Sequence, residues 1–260
     1  MIMKNFRLLL QQIKKTLIAC RISLRGVSSR GEFDYIINSF DRLRIQEGPF
    51  KGMRYINSSY GSIWHPKILG TYEKEIIPLI TGLDYKKYNN IIDIGCAEGY
   101  YLAGLAMLAS KGDASPGIVG YDLSEGALAM ARNLLAINHI PGRLLNQRFD
   151  FNRQTEEANL YLVDIEGAEK ELFQGVDMKR FRTSEFIVEV HDPKGRDDML
   201  EFLKNTFAPT HEVSVVFRQD RRPADFPDVL GIRVRDGLKM ELMDEQRCYG
   251  NAWLFASCRK

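Results

Sequence analysis

The chain has 260 residues, 45% hydrophobic and 27% charged, which excludes disorder as the dominant state and suits one compact domain with an appended arm. Its four cysteines, Cys20, Cys96, Cys248 and Cys258, form no C-x-x-C pair, which argues against a zinc centre and for reduced thiols in the cytoplasm. The net charge of +2 hides a division: residues 1–31 hold seven basic and no acidic side chains, whereas residues 32–260 hold 29 basic against 34 acidic ones. The body therefore lacks the general basic field that a nucleic-acid backbone requires, and no nucleic-acid partner is expected.

The basic arm, residues 1–30, comes first. Phe6, Leu10, Ile13, Leu17, Cys20 and Leu24 alternate spacings of four and three, which puts them on one stripe of a helix with most cations elsewhere. Such a helix packs on the body or on a partner subunit of a homo-oligomer. The alternative is peripheral adsorption to the inner membrane surface through residues 1–25, for which a basic amphipathic helix is suited. Nucleic acid is disfavoured here too, because the arm carries a single aromatic residue for stacking. No run reaches the roughly 18 to 20 apolar residues that span a bilayer, and no secretory h-region or cleavage site is evident, so a cytoplasmic location is expected.

Residues 31–84 read as a helical and loop-rich connector and lid, with a short helix near 33–44, loops over 48–66 and a helix over 70–80. From residue 85 to 260 the pattern changes to short β-rich runs at 90–95, 117–122, 144–149, 160–164 and 186–191, separated by helix-like stretches. That alternation predicts a doubly wound α/β unit with a mainly parallel sheet covered on both faces. Two last strands, at 212–218 and 252–257, are expected to form an antiparallel pair.

The stretch Ile91-Ile-Asp-Ile-Gly-Cys-Ala-Glu-Gly-Tyr-Tyr101 is an apolar strand that breaks into a glycine turn and a helix. Gly95 and Gly99 remove side chains where a cofactor must approach, and the helix presents its N-terminal amides. A dinucleotide fingerprint needs further glycines where Ala97 and Tyr100 stand, and Asp93 at the strand end gains nothing from a pyrophosphate. A ligand with a cationic amino-acid moiety suits the turn better. Asp122 ends the next strand, where a carboxylate can accept both hydroxyls of a ribose.

Together, DIGCAEG and the acid after the second strand resemble the cofactor site of class I S-adenosylmethionine-dependent methyltransferases. The resemblance implies a Rossmann-like methyltransferase fold with a seven-stranded sheet, residues 85–260 being the catalytic domain. It places Asp93 and Gly95 near the methionine end, Ala97 and Gly99 in the same cofactor-binding turn, Asp122 on the ribose, Leu123 beside the adenine, and Asp150, just after the third strand, near the adenine amine. Ala97 departs from the glycine usual in that family.

A second acidic cluster, Val163-Asp-Ile-Glu-Gly-Ala-Glu169, follows the fourth strand and opens a helix. Helix-dipole complementarity accounts for Glu169 but not for Asp164, a carboxylate ending an apolar strand at the ligand edge. This DIEGAE element, followed by FIVEVH at the fifth strand, resembles the FkbM family of methyltransferases over roughly residues 48–260. The resemblance implies O-methylation of a sugar hydroxyl, with a glycan or glycosylated small molecule as acceptor.

Strand alternation puts Glu189 and His191 on one face, with His191 at the carboxyl end. An imidazole is a suitable acceptor for the proton that a methylated hydroxyl loses. Glu189 or Asp164 as the base, and no dedicated base at all, are the alternatives. A divalent metal such as magnesium, held among Asp164, Glu166, Glu189, His191 and Asp192, is another way to acidify the hydroxyl. His65, His139 and His211 read as structural, although His65 and Trp64 also stand where an acceptor pocket could draw on them. Residues 220–247, with Arg221, Arg222 and Arg247, are the remaining acceptor-pocket segment, where arginines would meet an anionic group or simply be solvated. Protein or RNA methylation, and a cofactor-binding module without catalysis, are the competing functions.

Overall fold

The protein is described by a computed structural model covering residues 26–38, 43–191, 198–228, 231, 233–247 and 252–259. The arm helix expected over the first 25 residues, with Cys20, and also Asp192 and Cys248, lie outside the described residues. The helices are α1 Arg30–Asn38, α2 Trp64–Leu69, α3 Ile77–Gly82, α4 Tyr100–Lys111, α5 Glu125–Ile137, α6 Glu169–Phe173, α7 Asp198–Phe207 and α8 Asp236–Met243. The strands are β1 Asn90–Ile94, β2 Gly117–Tyr121, β3 Arg143–Leu145, β4 Asn159–Val163, β5 Glu185–Val190, β6 His211–Phe217 and β7 Ala252–Cys258.

They form one seven-stranded sheet in the order β3-β2-β1-β4-β5-β7-β6. Strands β1 to β5 pair in parallel, while β7 runs antiparallel to β5 and to β6. This is the mainly parallel, doubly wound α/β sheet that the alternating pattern predicts, with its antiparallel terminal pair. Period-two alternation divides the core between two faces. Ile91, Leu160, Leu162 and Ile187 point to one face, joined by α4, α8 and the apolar residues of segment 33–80. Ile92, Tyr161, Val163, Phe186 and Val188 point to the other, under Phe173 of α6 and Leu203 and Phe207 of α7. The expected connector thus shares a single cluster with one face of the sheet.

Two elements differ from the sequence reading. The helix expected over 70–80 starts late: Gly70 closes α2 with φ 81°, its N–H reaching the carbonyls of Pro66 and Lys67 at 3.0 Å, and Glu73, left-handed at φ 46°, precedes a single 3-10 turn at Lys74–Ile76 before α3. A Cβ on Gly70 would lie 1.8 Å from the Glu47 carbonyl oxygen, so no helix can run through. The third strand is three residues, not six. Asn146 turns out of the sheet to donate from its side chain to the Asp122 carbonyl at 3.2 Å, and Phe149 folds into an aromatic cluster 4.9 Å from Tyr121 and 4.8 Å from Phe151. Asp150 therefore caps the short turn at Phe151–Arg153, accepting from Asn152 N at 2.9 Å, rather than ending a strand.

Candidate active site

In the order β2-β1-β4 the chain reverses its direction of winding between β1 and β4, and a cleft of about 1110 Å³ opens at the carboxyl ends of these strands. Asp93 shares the face of its pair partner Leu162, and Asp164 follows two residues after Leu162, so both acids emerge on the cleft side. Gly95 has φ 86°, and a Cβ on it would sit 1.8 Å from the Asp164 carbonyl oxygen; the two strand ends close up only because that position is glycine. The cleft also takes in Ala97, Asp122, Leu123, Asp150, Glu189 and His191. Gly99, with φ 85°, is the N-cap of α4 beneath them, packed toward Ala131.

Ala97 adopts φ 45°, the left-handed conformation glycine takes without strain. Asp122 supports it: Oδ2 accepts from Ala97 N at 2.9 Å, while Oδ1 accepts from Ser124 N at 2.7 Å. Leu123 is 64% exposed, an apolar side chain displayed at the cleft. Asp93 is buried, with Oδ1 lacking any hydrogen-bond partner among the described residues. Burial, and then the nearby charges of Asp164, Asp122 and Glu98, push its carboxyl well above the usual range.

Asp164 Oδ1 is likewise buried without a hydrogen-bond partner, and burial pushes this carboxyl up to about 6 against the opposing charge of His191. His191 is the first residue past β5. Its Nδ1 lies 2.8 Å from Oε1 of the buried Glu169, and its Nε2 lies 3.4 Å from Glu166, 3.7 Å from Asp164 and 3.8 Å from Glu189. Burial alone lowers an imidazole's pKa, but the Glu169 bond and the charges of Asp164 and Glu166 outweigh it and leave His191 raised. Donor atoms of Asp164, Glu166 and His191 lie within 4.8 Å of one another, a spacing that a divalent cation could bridge. Glu189 is held instead by the guanidinium of Arg247.

Arg247 also pairs with Glu73, donates to the Tyr72 hydroxyl at 2.6 Å and lies over its ring. Arg221, 8% exposed in its side chain, bridges Glu75 at 3.0 Å and Glu245 at 2.5 Å. These two arginines of the acceptor-pocket segment thus turn inward to neutralise carboxylates. His65 bonds Asp34 at 2.8 Å, and Trp64 donates to the Ile56 carbonyl. His211 is a core residue, its Nε2 3.1 Å from the Ser184 carbonyl and 3.2 Å from that of Phe181.

The sequence reading passed over Lys67 and Glu98, a buried ion pair at 2.5 Å on the cleft wall. Burial would raise the Glu98 carboxyl, but Lys67 and the Tyr55 hydroxyl bring it below its usual value. Glu98 sits inside the DIGCAEG turn, so its place was visible, but nothing local marked Lys67 as its partner 31 residues away.

No protein-family pattern and no curated protein sequence matches the chain. Solved structures with a similar fold include precorrin-6y C5,15-methyltransferase from Geobacter metallireducens, 11% identical over 75% of this chain and 92% of that one, with a TM-score of 0.49. Ribosomal protein L11 methylase from Lactobacillus delbrueckii subsp. bulgaricus is 12% identical over 74% of this chain and 80% of that one, with a TM-score of 0.44. The StiE O-MT is 16% identical over 84% and 89% of the two chains, with a TM-score of 0.45.

Proposed function

We propose that this chain is a class I S-adenosylmethionine-dependent methyltransferase that methylates a sugar hydroxyl of a glycan or glycosylated small molecule. The observation that carries the reading is the convergence of Asp93, Asp122 and Asp164 on one cleft at the point where the sheet reverses its winding. The residues suit the cofactor. Two buried carboxylate oxygens without hydrogen-bond partners, on Asp93 and Asp164, call for a cation between β1 and β4. Asp122 spends one lone pair of each oxygen on a backbone N–H and keeps the other for a ribose hydroxyl.

When bound, the cofactor supplies an electrophilic methyl group on a sulfonium. The chain's part is alignment and proton removal. With Nδ1–H donated to Glu169, His191 presents the lone pair of Nε2 to the cleft beside Asp164 and takes the proton the hydroxyl loses as its oxygen gains the methyl group. Glu189, already paired with Arg247, is a poorer acceptor. Asp164, Glu166 and His191 would alternatively hold magnesium, which would acidify the hydroxyl directly. The acceptor class rests on the DIEGAE resemblance to the FkbM family.

Incubation with methyl-labelled cofactor and fractionated cell extract tests the reading. Label in a glycan or small-molecule fraction is expected. Label in protein or RNA instead would overturn the acceptor class, and cofactor binding with no transfer to any fraction would mark a non-catalytic module. Chelator that silences turnover, with magnesium restoring it, would replace the imidazole base by the metal.

A further inference from the structure

Three basic side chains line the described part of the cleft, and they are differently engaged. Arg148 is 72% exposed in its side chain and reaches outward to Glu171. Arg247 is saturated by Glu73, Glu189 and Tyr72. Lys67 is 4% exposed, and its ammonium lies 4.8 Å and 5.1 Å from the ring centroids of Tyr72 and Tyr100. Glu98 is its hydrogen-bond acceptor, and that carboxylate also serves the Tyr55 hydroxyl at 2.6 Å and the Tyr60 amide at 3.1 Å.

A lysine ammonium has three N–H donors, and a single acceptor shared with two other donors does not exhaust it. The cost of burying the Lys67–Glu98 pair on a pocket wall is offset only when further acceptors satisfy the remaining N–H donors of the ammonium. Glu98 stands in the glycine turn, three residues after Gly95, where the proposed cofactor's methionine end lies. That end carries both an ammonium, which suits the acids, and a carboxylate, which does not. We propose that Lys67 binds the α-carboxylate of the methionine moiety, with Glu98 holding the ammonium in place. The assignment rests on the cofactor reading above.

The test is calorimetric titration of the full chain with S-adenosylmethionine and with its decarboxylated analogue. The acidic cleft alone favours the more cationic, decarboxylated ligand, so a preference for the carboxylated one requires donors aimed at the carboxylate, and the variants decide whether Lys67 is among them. Wild type should bind S-adenosylmethionine about ten- to hundred-fold more tightly, the range expected for one charge-assisted hydrogen bond. Lys67→Met/Glu98→Gln, which removes both buried charges together, should lose that preference while keeping the affinity for the analogue; Lys67→Arg should retain it at a changed magnitude. Equal loss for both ligands in the folded double variant would reduce Lys67 to a structural role and overturn the proposal, as would an undiminished preference. If the double variant does not fold, Lys67→Arg and the wild type decide: equal affinities of the wild type for the two ligands overturn the proposal, as does a preference that Lys67→Arg leaves numerically unchanged, since the longer side chain must shift the carboxylate. A wild type that binds neither ligand would instead sink the cofactor reading itself.

Discussion

Asp122 does two jobs that a single substitution can separate. It holds the strained Ala97 amide and the Ser124 amide at the N-cap of α5, and it offers its remaining lone pairs to the cleft. Asp122→Ala is therefore expected to cost about 1–2 kcal/mol of stability and to weaken S-adenosylmethionine binding by roughly one to two orders of magnitude. Asp122→Asn, which keeps a neutral acceptor, should recover stability before it recovers affinity. Calorimetric titration and thermal melting check both, and unchanged affinity in a folded Asp122→Ala protein would remove the ribose assignment. His191 makes a complementary case. As a base it must be neutral, and its pKa is raised, so turnover should climb as pH rises through that value. His191→Ala should lower turnover by roughly 10² to 10⁴-fold, lose that limb, regain part of the rate at high pH and leave cofactor affinity within a few-fold. Stability runs the other way. A histidine raised above its ordinary 6.5 in the folded state stabilises fully below that value and loses its contribution as pH rises through the folded pKa. Turnover of the variant that matches wild type across the pH range would rule out the base.

At the scale of elements, the residues that tie the 64–76 segment to the 219–247 segment do so through buried charge. Arg247, 13% exposed in its side chain, neutralises Glu73 and Glu189 and lies 3.5 Å from Glu245. Arg247→Met would take this guanidinium from Glu73 and Glu189, while Glu245 keeps Arg221 but loses its second cation, and should cost about 3–5 kcal/mol. Part of that loss should return on acidification. Burial already pushes Glu245 up to about 7 with Arg221 opposing it, and an acid whose folded pKa exceeds its unfolded value is destabilising at high pH and ceases to be so as pH falls through the folded pKa. Melting curves at pH 8 and pH 6 should thus converge on wild type at the lower pH; a loss independent of pH would mean that packing, not charge, is what Arg247 supplies. This network also marks where the sequence stops being legible. The strand ends at Asp93, Asp122 and Asp164 could be read because each closes an apolar run before a glycine or polar turn, a signal contained within ten residues. The pairing of Arg247 with Glu73 spans 174 residues and that of Lys67 with Glu98 spans 31, and no periodicity links such positions. For the same reason two of the arginines read as solvated or acceptor-facing, Arg221 and Arg247, turn out to be internal counter-ions, while Arg222 is exposed. The third strand failed differently: in Leu144 to Phe149 the apolar ends flank Asn146, Gln147 and Arg148, which favour leaving the ladder, and Phe149 packs in the aromatic cluster instead of at the sheet edge.

Over the whole molecule, charge is sorted by place. Nine carboxylates line the cleft against two arginines and one lysine, so the interior suits cationic or neutral ligands and disfavours phosphorylated acceptors. The first 31 residues have the opposite sign, with seven basic side chains and no acid. No helix among the described residues is long and apolar enough to cross a membrane. Val27 is buried and bridges Val234, its N–H donating to the Arg233 carbonyl at 2.8 Å, so the first described residues lie beside the segment that leads into α8. Every residue assigned to the cofactor lies at or beyond Lys67. Deleting residues 1–25 should therefore spare S-adenosylmethionine binding, while removing whatever surface attachment the arm provides. If the arm docks on a membrane rather than packing on the body or a partner subunit, the attachment is to anionic lipid, worth about 1 kcal/mol per cation near the surface and screened by salt. On the membrane reading the full chain should sediment with vesicles containing phosphatidylserine at low salt and release as salt rises, and the truncated chain should stay in solution under both conditions. No sedimentation of the full chain at low salt would dismiss membrane docking. A truncated chain that aggregates or melts markedly lower would assign the arm to the core or to a subunit interface instead, since only a packed apolar stripe would leave such a defect.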